Sequence, residues 1–220
     1  MSYDRLPLPF PLGTTHDDFR GKSNPTWPDD FTQVSLEGRE YTMPCPDFDR
    51  TASPLPMLSS SARHVTVRIV RNRSGMALAR RRLVNLLTPE GRHAAGHTTH
   101  TASRFAYPVD PWLPAGATVP ANHLFYVVIE GPALVLRSTS NFASNVAVGD
   151  AMLASSGATS GAPEAGRLVQ FIGAQGGANP TATNIDNAIA HSNAIIGFAL
   201  SSQLTNQTNV DLLIHVRRRH

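Results

Sequence analysis

The 220-residue chain is 41% hydrophobic but only 16% charged, against about 25% charged residues in an average soluble domain. Ala, Ser, Thr, Asn, Gly and Pro fill the shortfall, and the scarcity of Glu and Lys excludes a coiled coil or a typical helical bundle, while the plentiful Val, Leu and Ile of the second half exclude a disordered acidic or basic tail. No run approaches the roughly 18 apolar residues of a membrane-crossing helix, and the composition predicts an all-β protein rich in turns.

Residues 1–60 open with MSYDRLPLPFPLGTTHDDF. A basic start followed by an apolar core is missing, so no secretory signal is expected. The segment holds nine of the 17 prolines, at positions 7, 9, 11, 25, 28, 44, 46, 54 and 56. Proline removes backbone donors and favours extended conformations, which argues against helix or central strand. Phe10, Phe19, Trp27, Phe31, Tyr41 and Phe48 accompany them, and a mere linker would not need six such aromatics. The segment reads as an extended arm lying on its own domain or on a neighbouring subunit. Trp27, Phe31 and Tyr41 are its expected anchors, since aromatic side chains dominate interface energetics. The one cysteine, Cys45, cannot form an internal disulfide and reads as an incidental thiol in a chain that folds in a reducing cytoplasm.

From residue 64 the pattern changes. HVTVRIVR alternates, with Val65, Val67 and Ile69 on one face, which predicts a strand. RNRSG, residues 71–75, is a turn, and residues 76–87 fit either a helix or two short strands. Residues 91–122 read as a polar, proline-rich loop. LFYVVIE, residues 124–130, is a strand of aromatic and β-branched residues, bent or broken at Gly131-Pro132 and continued over 133–137. Further strands are predicted over 145–153 (interrupted at Gly149-Asp150), 167–172, 194–200 and 210–216. Ile185, Ala188 and Ile189 are spaced for one or two turns of helix. In the last strand Val210, Leu212, Ile214 and Val216 face one way. Short strands and frequent turns predict a small β-barrel or β-sandwich over residues 61–220, preceded by the arm of residues 1–60.

Charge is uneven. Residues 61–104 hold nine arginines against Glu90 alone, a local charge of +8, while residues 1–60 carry five basic and nine acidic side chains. Eighteen arginines accompany a single lysine, Lys22. Arginine makes planar, bidentate contacts with carboxylate or phosphate, so Arg71, Arg73, Arg80, Arg81 and Arg82 are expected to form a basic patch that meets a partner. Helix-turn-helix, zinc-finger and RNA-binding signatures are absent, and aromatics are not interleaved with the arginines. An acidic protein surface is therefore favoured over nucleic acid. Arg80–Arg82 are consecutive, so at least one must face away from its neighbours.

No catalytic constellation is visible. Gly-x-Ser-x-Gly, the P-loop and Gly-x-Gly-x-x-Gly do not occur. His93, His97 and His100 lie in HAAGHTTH, a stretch that holds no Cys or Glu, and read as loop histidines making hydrogen bonds, not as metal ligands. The expectation is a protein without enzymatic activity, metal or cofactor.

HLFYVVIEGPALVL, then NVAVGDAML, then a small-residue loop, then IIGFALSSQLTNQTNVDLLIHV resemble the decoration, or cement, proteins of tailed-bacteriophage capsids. NRSGMALARRRLV is similar to the turn-plus-strand entry of their barrel, which favours strand over helix at 76–87. The likeness covers roughly residues 65–216, and the proline-rich arm is longer than a minimal decoration protein needs. It implies a structural virion protein, often a trimer, bound to the major capsid protein on the outer surface of the shell and assembled in the host cytoplasm. Membrane and nucleic-acid partners are not expected. The competing readings are another viral structural or host-adhesion module of tail or spike, and a basic nucleic-acid-binding protein.

Overall fold

A computed structural model of the chain describes residues 37–44, 64–87, 91–99, 105–110, 113, 116–138, 145–155, 159, 163–171, 182–202 and 211–218. In chain order these form β1 (Glu40–Pro44), β2 (His64–Asn72), β3 (Leu78–Ala79), β4 (Leu83–Leu86), β5 (His93–His97), β6 (Ala106–Pro108), β7 (Thr118–Val119), β8 (Leu124–Leu136), β9 (Ala151–Ala154), β10 (Leu168–Gln170), α1 (Ala182–Asn193), β11 (Gly197–Ala199) and β12 (Asp211–Val216). The all-β expectation holds at this level, with α1 as the one helix among the described residues. Residues 76–87 are strand, turn and strand. Within 91–122 the expected loop gives way to β5, β6 and β7, whose Ala, Gly and Thr residues carry little period-two contrast.

One ladder runs β10-β9-β11-β12-β8-β2-β5-β4-β6, with β1 as a further neighbour of β2, and β3 pairs β7 in a separate ribbon. The barrel is not closed: the end strands β10 and β6 do not pair with each other. Single bridges fold each wing back towards β8 instead, Val109 to Val127 on one side and Arg137 to Leu168 on the other.

The organising element is β8. Its first half pairs antiparallel with β2, and its second half, from Gly131, pairs antiparallel with β12. The register shifts between Thr66–Glu130 and Val67–Val128, so Ile129 is the extra residue of a β-bulge. Period-two alternation therefore changes parity there. Leu124, Tyr126 and Val128 face a first core before the bulge, and Ala133 and Val135 face it after. Phe125, Val127 and Ile129 face a second core with Val70, Leu78, Val84, Leu86, Tyr107 and Val119. Both faces of β8 are covered, which explains why LFYVVIEGPALVL is nearly continuous in apolar residues. The first core takes Val65, Val67 and Ile69 from β2 and Leu212, Ile214 and Val216 from β12, as their alternation predicts.

Asn72 ends β2 and organises the turn that follows. It is fully buried. Its Nδ2 donates to Met76 O (2.7 Å), Val119 O (3.0 Å) and Pro120 O (3.0 Å). Its Oδ1 accepts from Ser74 N (3.0 Å) and Ser74 Oγ (2.6 Å). One side chain thus joins the RNRSG turn to the end of the β3–β7 ribbon.

Candidate interaction surface

The expected anchors and basic residues are placed unequally. Trp27 and Phe31 lie outside the described residues, as do Cys45 and His100. Tyr41 lies on β1, half-buried against the first core. So part of the segment read as an arm is a strand of the sheet. β1 runs antiparallel along the edge of β2, from Glu40 opposite Arg68 to Pro44 opposite His64. β5 takes the same edge further on, in parallel, at Arg71 and Asn72. Gly38 N–H donates to Ile69 O (2.8 Å) and Ile69 N–H to Arg39 O (3.0 Å), which extends the pairing past the strand's start.

Side chains reinforce this edge. Glu40 Oε1 accepts from Arg68, and Glu40 Oε2 from Arg218 NH2 at 2.7 Å. Arg218 NH1 also lies 3.8 Å from Glu130. Glu37 Oε1 accepts from Arg71, and its Oε2 is 3.3 Å from His93 Nε2. The hydroxyls of Thr42 and Thr66 are 3.0 Å apart. The sequence assigned the basic segment to an external acidic surface. For Arg68 and Arg71 the carboxylates come from the chain's own N-terminal region. The signal was available as the opposite charges of the two segments.

The five patch arginines take different partners. Arg71 and Arg73 both reach Asn122, through NH1 to its O (2.8 Å) and NH1 to its Oδ1 (3.2 Å) respectively. Arg80 NH1 donates to Leu113 O (2.9 Å) and Arg82 NH1 to Ala165 O (3.2 Å). Arg81 is buried, holds a left-handed φ of 57°, and pairs with Asp211 on β12. A single exposed patch of all five is therefore corrected: Arg73 is exposed, Arg71, Arg80 and Arg82 are half-buried, and Arg81 is inside.

Around β10 the arginines serve the fold. Arg167 donates to Pro163 O (2.7 Å) and Arg137 O (3.1 Å), and Ser138 Oγ bonds Glu164. Burial, then the like charge of Arg167, lower the pKa of Arg82 against the opposing pull of Glu164. Burial alone lowers that of Arg137. Arg81→Ser is expected to destabilise the protein by about 2–4 kcal/mol, because it removes the buried guanidinium that pairs with the half-buried carboxylate of Asp211. Arg73→Ser should stay within about 0.5 kcal/mol, as an exposed change does. Urea unfolding midpoints compare the two, and equal midpoints would refute an internal role for Arg81.

His93 and His97 do not converge. Ala95 is the extra residue where Asn85 pairs Gly96 and Leu86 pairs Ala94. That bulge puts His97, opposite Val84, on the second-core face, while His93 faces Glu37. His97 is buried, and its Nε2 accepts from Ala79 N–H at 3.0 Å. Among the described residues no three His, Cys, Asp or Glu side chains gather as a metal site, and no helix is long and apolar enough to cross a membrane.

Besides Ile189 on α1, four large apolar side chains are exposed among the described residues, and they fall in two pairs. Val148 (65%) and Phe198 (40%) lie on segments joined by Gly149 N–H to Ala199 O (2.8 Å). Leu87 (47%) and Phe105 (41%) lie beside the bond from Leu86 N–H to Phe105 O (3.0 Å). No family model, curated protein or solved structure matches this chain.

Proposed function

We propose that this chain is a structural virion protein that binds the outer surface of a bacteriophage capsid as a decoration protein, most plainly as a trimer, without catalysis, metal or cofactor. The observation that carries the reading is β1: residues 40–44 of the proline- and aromatic-rich N-terminal region pair along the β2 edge of the sheet, which gives Glu37, the residue that follows 1–36 in the chain, a set place on the domain. Tyr41 is already taken up by the domain's own core, so of the three expected aromatic anchors Trp27 and Phe31 are the ones assigned to a partner surface. The sequence pattern over 65–216 supports the same reading.

The contact with the major capsid protein is assigned to Trp27, Phe31 and the rest of residues 1–36, helped by the exposed Arg73, Arg92 and Arg217. Exposed ion pairs contribute only about 0–1 kcal/mol each, but they set orientation and on-rate, and many copies on one shell add through multivalency. The test is co-sedimentation with shells assembled from the major capsid protein of the particle that carries this chain. Saturable binding at a fixed ratio is expected. Equal retention by duplex DNA with a steep loss in salt would instead mark a nucleic-acid binder.

A further inference from the structure

We propose that β1 is exchanged between copies of this chain, the β1 of one copy lying on the β2 edge of another. The inference concerns the chain's own copies and stands whether or not the shell reading holds. Pro44 and His64 are register partners in an antiparallel pair. Such a pair commonly closes through two to about five residues. Here residues 45–63 intervene, and a connection of that length can extend to about 60 Å. The entropy lost on closing a connection grows with its length, by about 0.6 kcal/mol per doubling, so the covalent link favours a chain's own β1 less than a tight hairpin would.

The contacts holding β1 do not depend on which copy supplies it. Glu37 meets Arg71 and His93, and Glu40 meets Arg68 and Arg218. Thr42 meets Thr66, and Tyr41 packs on the first core. Every one of these joins β1 and its lead-in to β2, β5 or the residues after β12. The acceptor edge is basic and the entering segment carries two carboxylates, so charge complementarity selects a segment of this kind. Reciprocal exchange keeps each of these bonds and leaves no β2 edge bare, which a one-way donation would not. At high local concentration, a second copy's β1 competes for that edge with the chain's own strand.

The test uses the full chain with Thr42→Cys, Thr66→Cys and Cys45→Ser, so that only the two engineered thiols are present. Opposed residues in an antiparallel pair have Cα atoms about 4.5–5.5 Å apart, within reach of a disulfide. Equal amounts of nitrogen-14 and nitrogen-15 protein are refolded together at high concentration and oxidised, and the linked peptides are read by mass. Exchange predicts mixed-isotope pairs as abundant as same-isotope pairs, with covalently joined chains on a non-reducing gel. Same-isotope pairs alone, migrating as single chains, would overturn the proposal. Failure to form the disulfide at all would also overturn it, because Thr42 and Thr66 would not then be opposed.

Discussion

Gly131→Ala is expected to lower the unfolding free energy by about 2–5 kcal/mol, from the sum of a strained backbone and a forced contact. Gly131 has φ +100°, a conformation that L side chains rarely adopt, and it sits where β8 leaves β2 and takes up β12. A Cβ there would lie 2.6 Å from His64 O and 3.0 Å from Val65 Cα, both backbone atoms of β2. Neither can move aside as the end of a long side chain could. Gly75→Ala is the matched control, with φ +73° but nothing within 4 Å of the added carbon. It should show the backbone strain of about 1–2 kcal/mol alone. Chemical denaturation of both variants gives the comparison. A Gly131→Ala protein as stable as Gly75→Ala would mean that β2 and β8 are not in close contact at the bend.

Asn72→Asp is expected to cost about 2–4 kcal/mol at neutral pH, since a buried donor is replaced by an acceptor. The Nδ2 that serves Met76 O, Val119 O and Pro120 O is lost, and a carboxylate oxygen faces those carbonyls instead. Protonation restores a donor. The introduced carboxyl would therefore have a folded-state pKa above its unfolded value near 4. The folded state then binds more protons, so the deficit shrinks as pH falls towards that value and is fully present above the raised pKa. Asn72→Ala should be destabilised without this pH dependence. Thermal melts of the two variants from pH 7 to pH 4 test the difference.

The strands with strong apolar alternation are legible in the sequence. Val65, Val67 and Ile69, and Leu212, Ile214 and Val216, line the first core as their spacing predicts. The two-sided burial of β8 was not legible as such, because a bulge at Ile129 changes which residues face which core. β5 and β6 escaped notice because Ala94, Ala95, Gly96 and Ala106 offer almost no contrast between faces. β1 was masked by its surroundings: EYTMP ends in proline and stands in a proline-rich segment, so its pairing depends on β2 and on Arg68, Arg71 and Arg218 more than on local preference. Tyr41 was found by composition, and its place against the core came only from that pairing. The run Arg80–Arg82 had to point in more than one direction, and Arg81 is the residue that points in, fixed by Asp211.

In the proposed function the N-terminal region joins a sheet-forming domain to a capsid surface. The most direct measurement compares the full chain with residues 37–220 for binding to undecorated shells, by co-sedimentation at increasing protein concentration. The shorter chain keeps Glu37, Glu40, Tyr41 and the whole of β1, so its circular dichroism spectrum and melting temperature should match those of the full chain. Its shell affinity should fall at least tenfold, the equivalent of about 1.4 kcal/mol, because Trp27, Phe31 and their neighbours are gone. Undiminished binding by residues 37–220, or no binding to shells by the full chain, would contradict the account.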